Sequence, residues 1–135
     1  MSTIATQPTG IESFKAAADL SAHQWKGVKL TAKDTVNVVS AAADRAIGVL
    51  MNKPTAAGQH AQVLMFGQRM KAVSDGSGTA IAVGDYVGFN ASGKLVKKAT
   101  ADHSVIGIAN DASSADGVII EFFCIPINWF RTAAG

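Results

Sequence analysis

The chain has 135 residues, enough for one domain with a sizeable core, and so needs neither a metal nor a disulfide staple. Its net charge of +2, with 16% charged residues, is too mild for the strongly basic face of an electrostatic nucleic-acid binder. No apolar run approaches the roughly 20 residues of a membrane span, and a single cysteine excludes an internal disulfide.

Residues 1–20 differ from the rest of the chain. The start, Met1 to Gln7, lacks the basic and apolar regions of a signal peptide, so the chain is expected to be made and kept in the cytosol unless a particle carries it out. Pro8 and Gly10 interrupt regular structure, and the apolar residues Ile4, Ile11, Phe14 and Leu20 are widely spaced. Ile11, Phe14 and Ala18 fall at i, i+3, i+7, which allows one or two helical turns. Two readings remain, a frayed terminus or an arm that orders only against a partner. The four spaced apolar side chains favour the arm.

From Gln24 the pattern becomes β. Lys26, Val28 and Leu30 share one face, and Trp25 and Lys29 the other. Thr31 to Asp34 forms a turn, after which Val36 and Val38 alternate with Thr35 and Asn37. Ala41-Ala42-Ala43 allows a short helical turn before Ile47-Gly48-Val49-Leu50. After Pro54 and Gly58, Ala61 to Phe66 reads as another strand. Arg69, Lys71 and Val73 then alternate with Met70 and Ala72, and Ser74-Asp75-Gly76-Ser77-Gly78 is a turn. A short strand near Ala80-Ile81 precedes Val83-Gly84-Asp85 and the run Tyr86-Val87-Gly88-Phe89. Asn90-Ala91-Ser92-Gly93 is a hairpin signal, followed by Lys94 to Lys98. Ile106-Gly107-Ile108-Ala109, a loop closed by Gly117, and Val118 to Phe123 complete the β region. Pro126 is expected to stop the last strand or confine it to an edge. Trp129 and Phe130 either fold back as a cap or line a subunit contact, where aromatics are enriched.

Two stretches read as copies. Each is a short apolar strand with Gly after Ile (Gly48, Gly107), a loop of small residues closed by Gly (Gly58, Gly117), and a second apolar strand. Glycine weakens a strand unless a bulge or close backbone approach requires it, so the same need is expected twice. Many short strands at close turn spacing predict a mainly β fold. The expected architecture is a single small β-barrel or β-sandwich domain over residues 21–124, with related halves and at most short helical turns. An extended N-terminal arm (1–20) and a C-terminal tail (125–135) flank it.

The inventory of reactive groups is thin. His23, His60 and His103 are far apart, and one cysteine cannot build a thiolate-rich zinc site. Cys124, among Phe122, Phe123 and Ile125, reads as a small buried hydrophobe. Asp102-His103-Ser104 holds triad residue types side by side, but a triad is a geometry and not an adjacency. The Gly76 loop joins two strands rather than opening a helix, so it is no phosphate cradle. Lys94, Lys97 and Lys98 read as a solvated strand face. No catalytic residue, metal site or cofactor is expected. A cytosolic β-barrel hydrolase would need His103 to meet a carboxylate and a nucleophile through the fold.

The order of the pieces carries a resemblance. Ala18-Asp19-Leu20-Ser21 leads into Gln24 to Leu30, and Ile47 to Pro54 precedes Ala57-Gly58. Val83 to Val87 comes before Ser92-Gly93-Lys94, and Ile106 to Ala109 comes near the end. Over residues 18–123 this resembles the capsid cement, or head decoration, proteins of tailed bacteriophages. The resemblance implies a non-enzymatic virion protein that sits as a homotrimer on the outer capsid surface. It would be made in the host cytoplasm and would brace neighbouring major capsid protein subunits after head expansion. The capsid and itself would be its partners, with no nucleic acid or membrane. A related reading is a β-barrel head-tail adaptor or tail-associated structural protein. Ile4, Ile11, Phe14, Leu20, Trp129 and Phe130 are the candidate capsid or subunit contacts.

Overall fold

The computed structural model describes residues 10–65, 69–98 and 104–130, with side chains described over 10–65, 69–98 and 105–124. Ten strands occur in chain order: β1 (Ile11–Ala16), β2 (Gly27–Ala32), β3 (Thr35–Val38), β4 (Ala46–Leu50), β5 (His60–Met65), β6 (Arg69–Asp75), β7 (Tyr86–Phe89), β8 (Leu95–Lys97), β9 (Ser104–Ala109) and β10 (Asp116–Phe130). No helix occurs among the described residues. The strands close into two barrels rather than one, with orders β1-β3-β2-β4-β5 and β6-β8-β7-β9-β10. In each, the first and third strands run parallel and the other neighbours antiparallel. Closure leaves neither barrel a free sheet edge.

The two barrels are copies of one plan. Gly48 pairs with Met65, and Gly107 with Cys124. A Cβ on Gly48 would collide with the Leu64 carbonyl oxygen, and one on Gly107 with that of Phe123. The close approach expected from the sequence is therefore present twice, at the same place. Left-handed backbone recurs in the same way at Trp25 and Gly84, Asp34 and Gly93, and Gly58 and Gly117. Trp25 (φ 67°) thus occupies a conformation that costs a bulky residue energy, where the second copy has glycine. The repeat extends to the crossover loops. Leu20 N donates to Pro54 O in the first barrel, and Ile81 bridges Ser113 in the second. Leu20 and Ile81 each plug a core.

Ala16, Leu20, Val28, Val36, Leu50, Ala61 and Val63 fill the first barrel. A larger core fills the second and continues across the junction, where Val39, Ala46 and Val49 of the first barrel join it. Alternation produces these faces: in β6, Met70, Ala72 and Ser74 point in while Arg69 and Lys71 point out. Ser74 is polar and buried, but its hydroxyl meets that of Ser113 at 2.8 Å and the Val118 carbonyl at 2.7 Å.

Several sequence expectations change. Residues 11–20 are not an arm. β1 is a staple of the first barrel, paired with β5 from Ile11–Leu64 to Lys15–His60. The apparent helical spacing is strand alternation, with Phe14 and Ala16 turned to the core. The boundary between arm and β domain at residue 20 therefore moves to the start of β1. Pro126 does not end the last strand. β10 continues to Phe130 and resumes pairing with β9 at Trp129–Val105, with a register shift after Cys124 that spans the proline, which has no N–H to give. Lys98 does not belong to a solvated face, being 3% exposed. Residues 41–43 form a turn and not a helix, because Asp44 takes the available donors. Its carboxylate accepts from Ser40 N and Ala41 N (both 2.9 Å) and from Lys29 Nζ (2.7 Å).

These bonds, the one from Lys29 first and that from Ser40 N next, hold the Asp44 carboxyl below its ordinary range. Such a group stabilises the fold fully above its unfolded value and loses that contribution as pH falls through the lower folded one. The unfolding midpoint should therefore drop on acidification below about pH 4, with a shallower acid slope in Asp44→Asn. An unchanged slope would show that Asp44 is not tied down as described.

Candidate interaction surfaces

Among the described residues, no three His, Cys, Asp or Glu side chains gather where they would hold a metal ion. His60 is exposed at the start of β5. His23 lies 3.2 Å from Lys26 Nζ, and its pKa is lowered by partial burial and then by the Lys26 charge. Burial lowers Lys26 and Lys98 likewise, with Lys94 adding to the effect at Lys26. Lys94 pairs with Asp116 (2.8 Å) and Lys97 with Asp85 (3.6 Å). Asp85 also accepts from Ala82 N, three residues back, which closes the turn before β7. Asp102 and His103 lie outside the described residues, as does the Ser104 side chain.

Of the candidate contact residues, the side chains of Ile11, Phe14 and Leu20 are described. Leu20 is buried in the first barrel and has no surface to offer a partner, while Phe14 is half-buried against the same core. Ile11 is on the surface. Ile4 lies outside the described residues. Trp129 and Phe130 are placed only as backbone, paired with Val105 and Ser104, and their side chains lie outside the described ones.

Two surfaces stand out instead. One is a groove of about 320 Å³ at the junction, with Trp25, Met51 and Leu64 on one side and Arg69, Lys71 and Glu121 on the other. Lys71 Nζ sits 4.6 Å from the centroid of the Trp25 ring, over its face, and Val73 N donates to Trp25 O. The left-handed Trp25 is thus held by both barrels. The second surface is an apolar row on the second barrel. Register places Tyr86 opposite Ile108, Ile108 opposite Phe123 and Phe123 opposite Arg69, crossing four strands. Arg69 lies over the Phe123 ring at 5.2 Å and reaches Glu121 at 3.8 Å. This exposed ion pair adds little stability. Sequence reading missed the row because its members are far apart in the chain. The available signal was Phe122-Phe123: adjacent strand residues face opposite ways, so one of the two rings must point out.

A model of phage cement proteins matches residues 9–123. The chain belongs to the phage cement protein family. The match takes in both barrels up to Phe123 and stops within β10. No curated protein matches the sequence at a significant level. Among solved structures, the chain is similar in fold to the N base of head fiber gp8.5 of bacteriophage phi29. The TM-score is 0.64 at 16% identity, over 88% of this chain and 96% of that one. Membership of the family makes this a structural protein of a phage capsid, and its fold is mainly β.

Proposed function

We propose that this cement protein binds the outer surface of the expanded phage capsid as a homotrimer and stabilises contacts between major capsid protein subunits. The observation that carries this reading is the family match across nearly all of the described chain. A trimer engages several shell subunits at once, so individually modest contacts combine into firm retention. Binding stabilises only the state it recognises, which here is the expanded shell and not the procapsid. The work needs a rigid body, and two closed barrels sharing a core supply one. It needs no catalytic group, cofactor, nucleic acid or membrane. The protein is made in the host cytoplasm and ends on the virion exterior.

Heating purified particles with and without the protein tests this. Decorated heads should retain their DNA to a higher temperature, and many copies should be present per particle. Heads that hold equally well without it would overturn the reading, and a few copies at one vertex would favour an adaptor.

A further inference from the structure

The junction between the two barrels is directional. The first barrel presents a face made of Gly27, Val49 and Leu64, and the second presents the hairpin end of β7 and β8. The Phe89 ring lies 2.5 Å from where a Gly27 Cβ would be, a space that only glycine leaves. Gly27 N donates to Gly93 O at 2.9 Å, and Gly93 packs on the Val38 side chain. Val49 is fully buried in the shared core, and Leu64 packs against it.

Because the barrels are copies, each side of this junction has a counterpart on the other barrel. Register fixes the equivalences. Gly27–Val49 and Tyr86–Ile108 are the same pairing in β2–β4 and β7–β9. Leu64 corresponds to Phe123, the residue whose carbonyl crowds the repeat glycine. Leu30–Val36 corresponds to Phe89–Leu95. The counterpart of the buried face is therefore the row Tyr86, Ile108 and Phe123, exposed by 38%, 38% and 43%. The counterpart of Phe89, itself buried, is Leu30 beside the β2–β3 hairpin, which is 51% exposed. Among the described residues, one chain thus holds a completed junction and both sides of a second that these residues do not bring together.

We propose that copies of this chain associate head to tail, the Tyr86–Ile108–Phe123 face of one copy taking the Leu30 hairpin end of the next. The sizes agree. Inside the chain a ring on the hairpin end meets a glycine on the face; between copies a tyrosine ring on the face meets the smaller Leu30. Each pairing keeps one ring and one smaller residue, so the packed volume is shared differently rather than doubled. Such an interface uses two different patches, and copies joined this way close into a ring when the rotation permits. The proposal rests on the homotrimer reading for the number of copies in that ring, with junctions within and between chains alternating around it.

Two variants of the full chain test it: Ile108→Glu with Phe123→Glu, which spoils the face, and Leu30→Glu, which spoils the hairpin end. Light scattering should show the unaltered protein as an oligomer and each variant as a monomer, with folding checked by circular dichroism. Mixed in equal amounts, the two variants should form a heterodimer, since each retains the side the other lacks. Should a variant not fold, Leu30→Cys with Tyr86→Cys serves instead. On oxidation it should link into covalent oligomers, while Leu30→Cys alone and Tyr86→Cys alone, which also keep the buried native Cys124, should not. Variants that keep the original mass, or a mixture that stays monomeric, would overturn the proposal, as would double-cysteine chains that do not link. A protein that is monomeric at every concentration yet still protects heated heads would sink this inference and leave the capsid-binding reading intact.

Discussion

Gly107→Ala is expected to destabilise the protein by about 3 kcal/mol, and Gly48→Ala by a similar amount, the upper end of the ~1–3 kcal/mol that forcing atoms into a packed core typically costs, because here nothing flexible can yield. In both cases the obstacle is a backbone carbonyl oxygen, Phe123 O or Leu64 O, with a buried side chain behind it, Phe122 or Val63. Relief would require parting β9 from β10, or β4 from β5, along the ladders that close the two barrels. Chemical unfolding of the two variants against the unaltered chain measures the loss. Gly78→Ala, where nothing lies within 4 Å of the added carbon, is the control and should change stability little. If Gly48→Ala or Gly107→Ala proved as harmless as the control, the close strand approach described here would be wrong at that site.

The same glycines show what the sequence could convey. A glycine after Ile in two apolar strands is a local pattern, and it pointed correctly to a paired structural need. The turns at Asp34 and Gly93 and the alternation in β6 were legible for the same reason, since each is set by neighbours within a few residues. The count of barrels was not. Whether ten short strands close once or twice depends on pairings such as Ile11–Leu64 and Phe123–Arg69, which no local spacing encodes. Pro126 misled because a proline within a strand is tolerated where the ladder already shifts register. Lys98 misled because a lysine run reads as solvated, while its backbone position matches Val39. Lys98 N bonds to Tyr86 O as Val39 N bonds to Gly27 O. The apolar row was hidden most completely, since Tyr86, Ile108 and Phe123 come together only through two strand registers, β7 on β9 and β9 on β10.

Removing residues 1–9 should leave a folded protein, whereas removing residues 1–20 should abolish folding. The shorter deletion leaves every described pairing in place. The longer one takes out β1, which closes the first barrel against β5 on one side and β3 on the other. It also takes out Leu20, whose side chain is buried in that barrel's core and whose N–H bonds to Pro54 O. Two strand edges would open to water and a core position would empty. Leu20→Ala isolates the last effect, and buried Leu→Ala changes cost about 2–5 kcal/mol. That is a large part of the ~5–15 kcal/mol that holds a domain folded. Near-UV circular dichroism and cooperative thermal unfolding of the two deletions separate the outcomes. A folded chain lacking residues 1–20 would restore the reading of that stretch as a detachable arm. Loss of structure on removing it means that residues 11–20 meet a capsid only as part of the barrel surface, at Ile11 and its neighbours, and not as a segment that peels away.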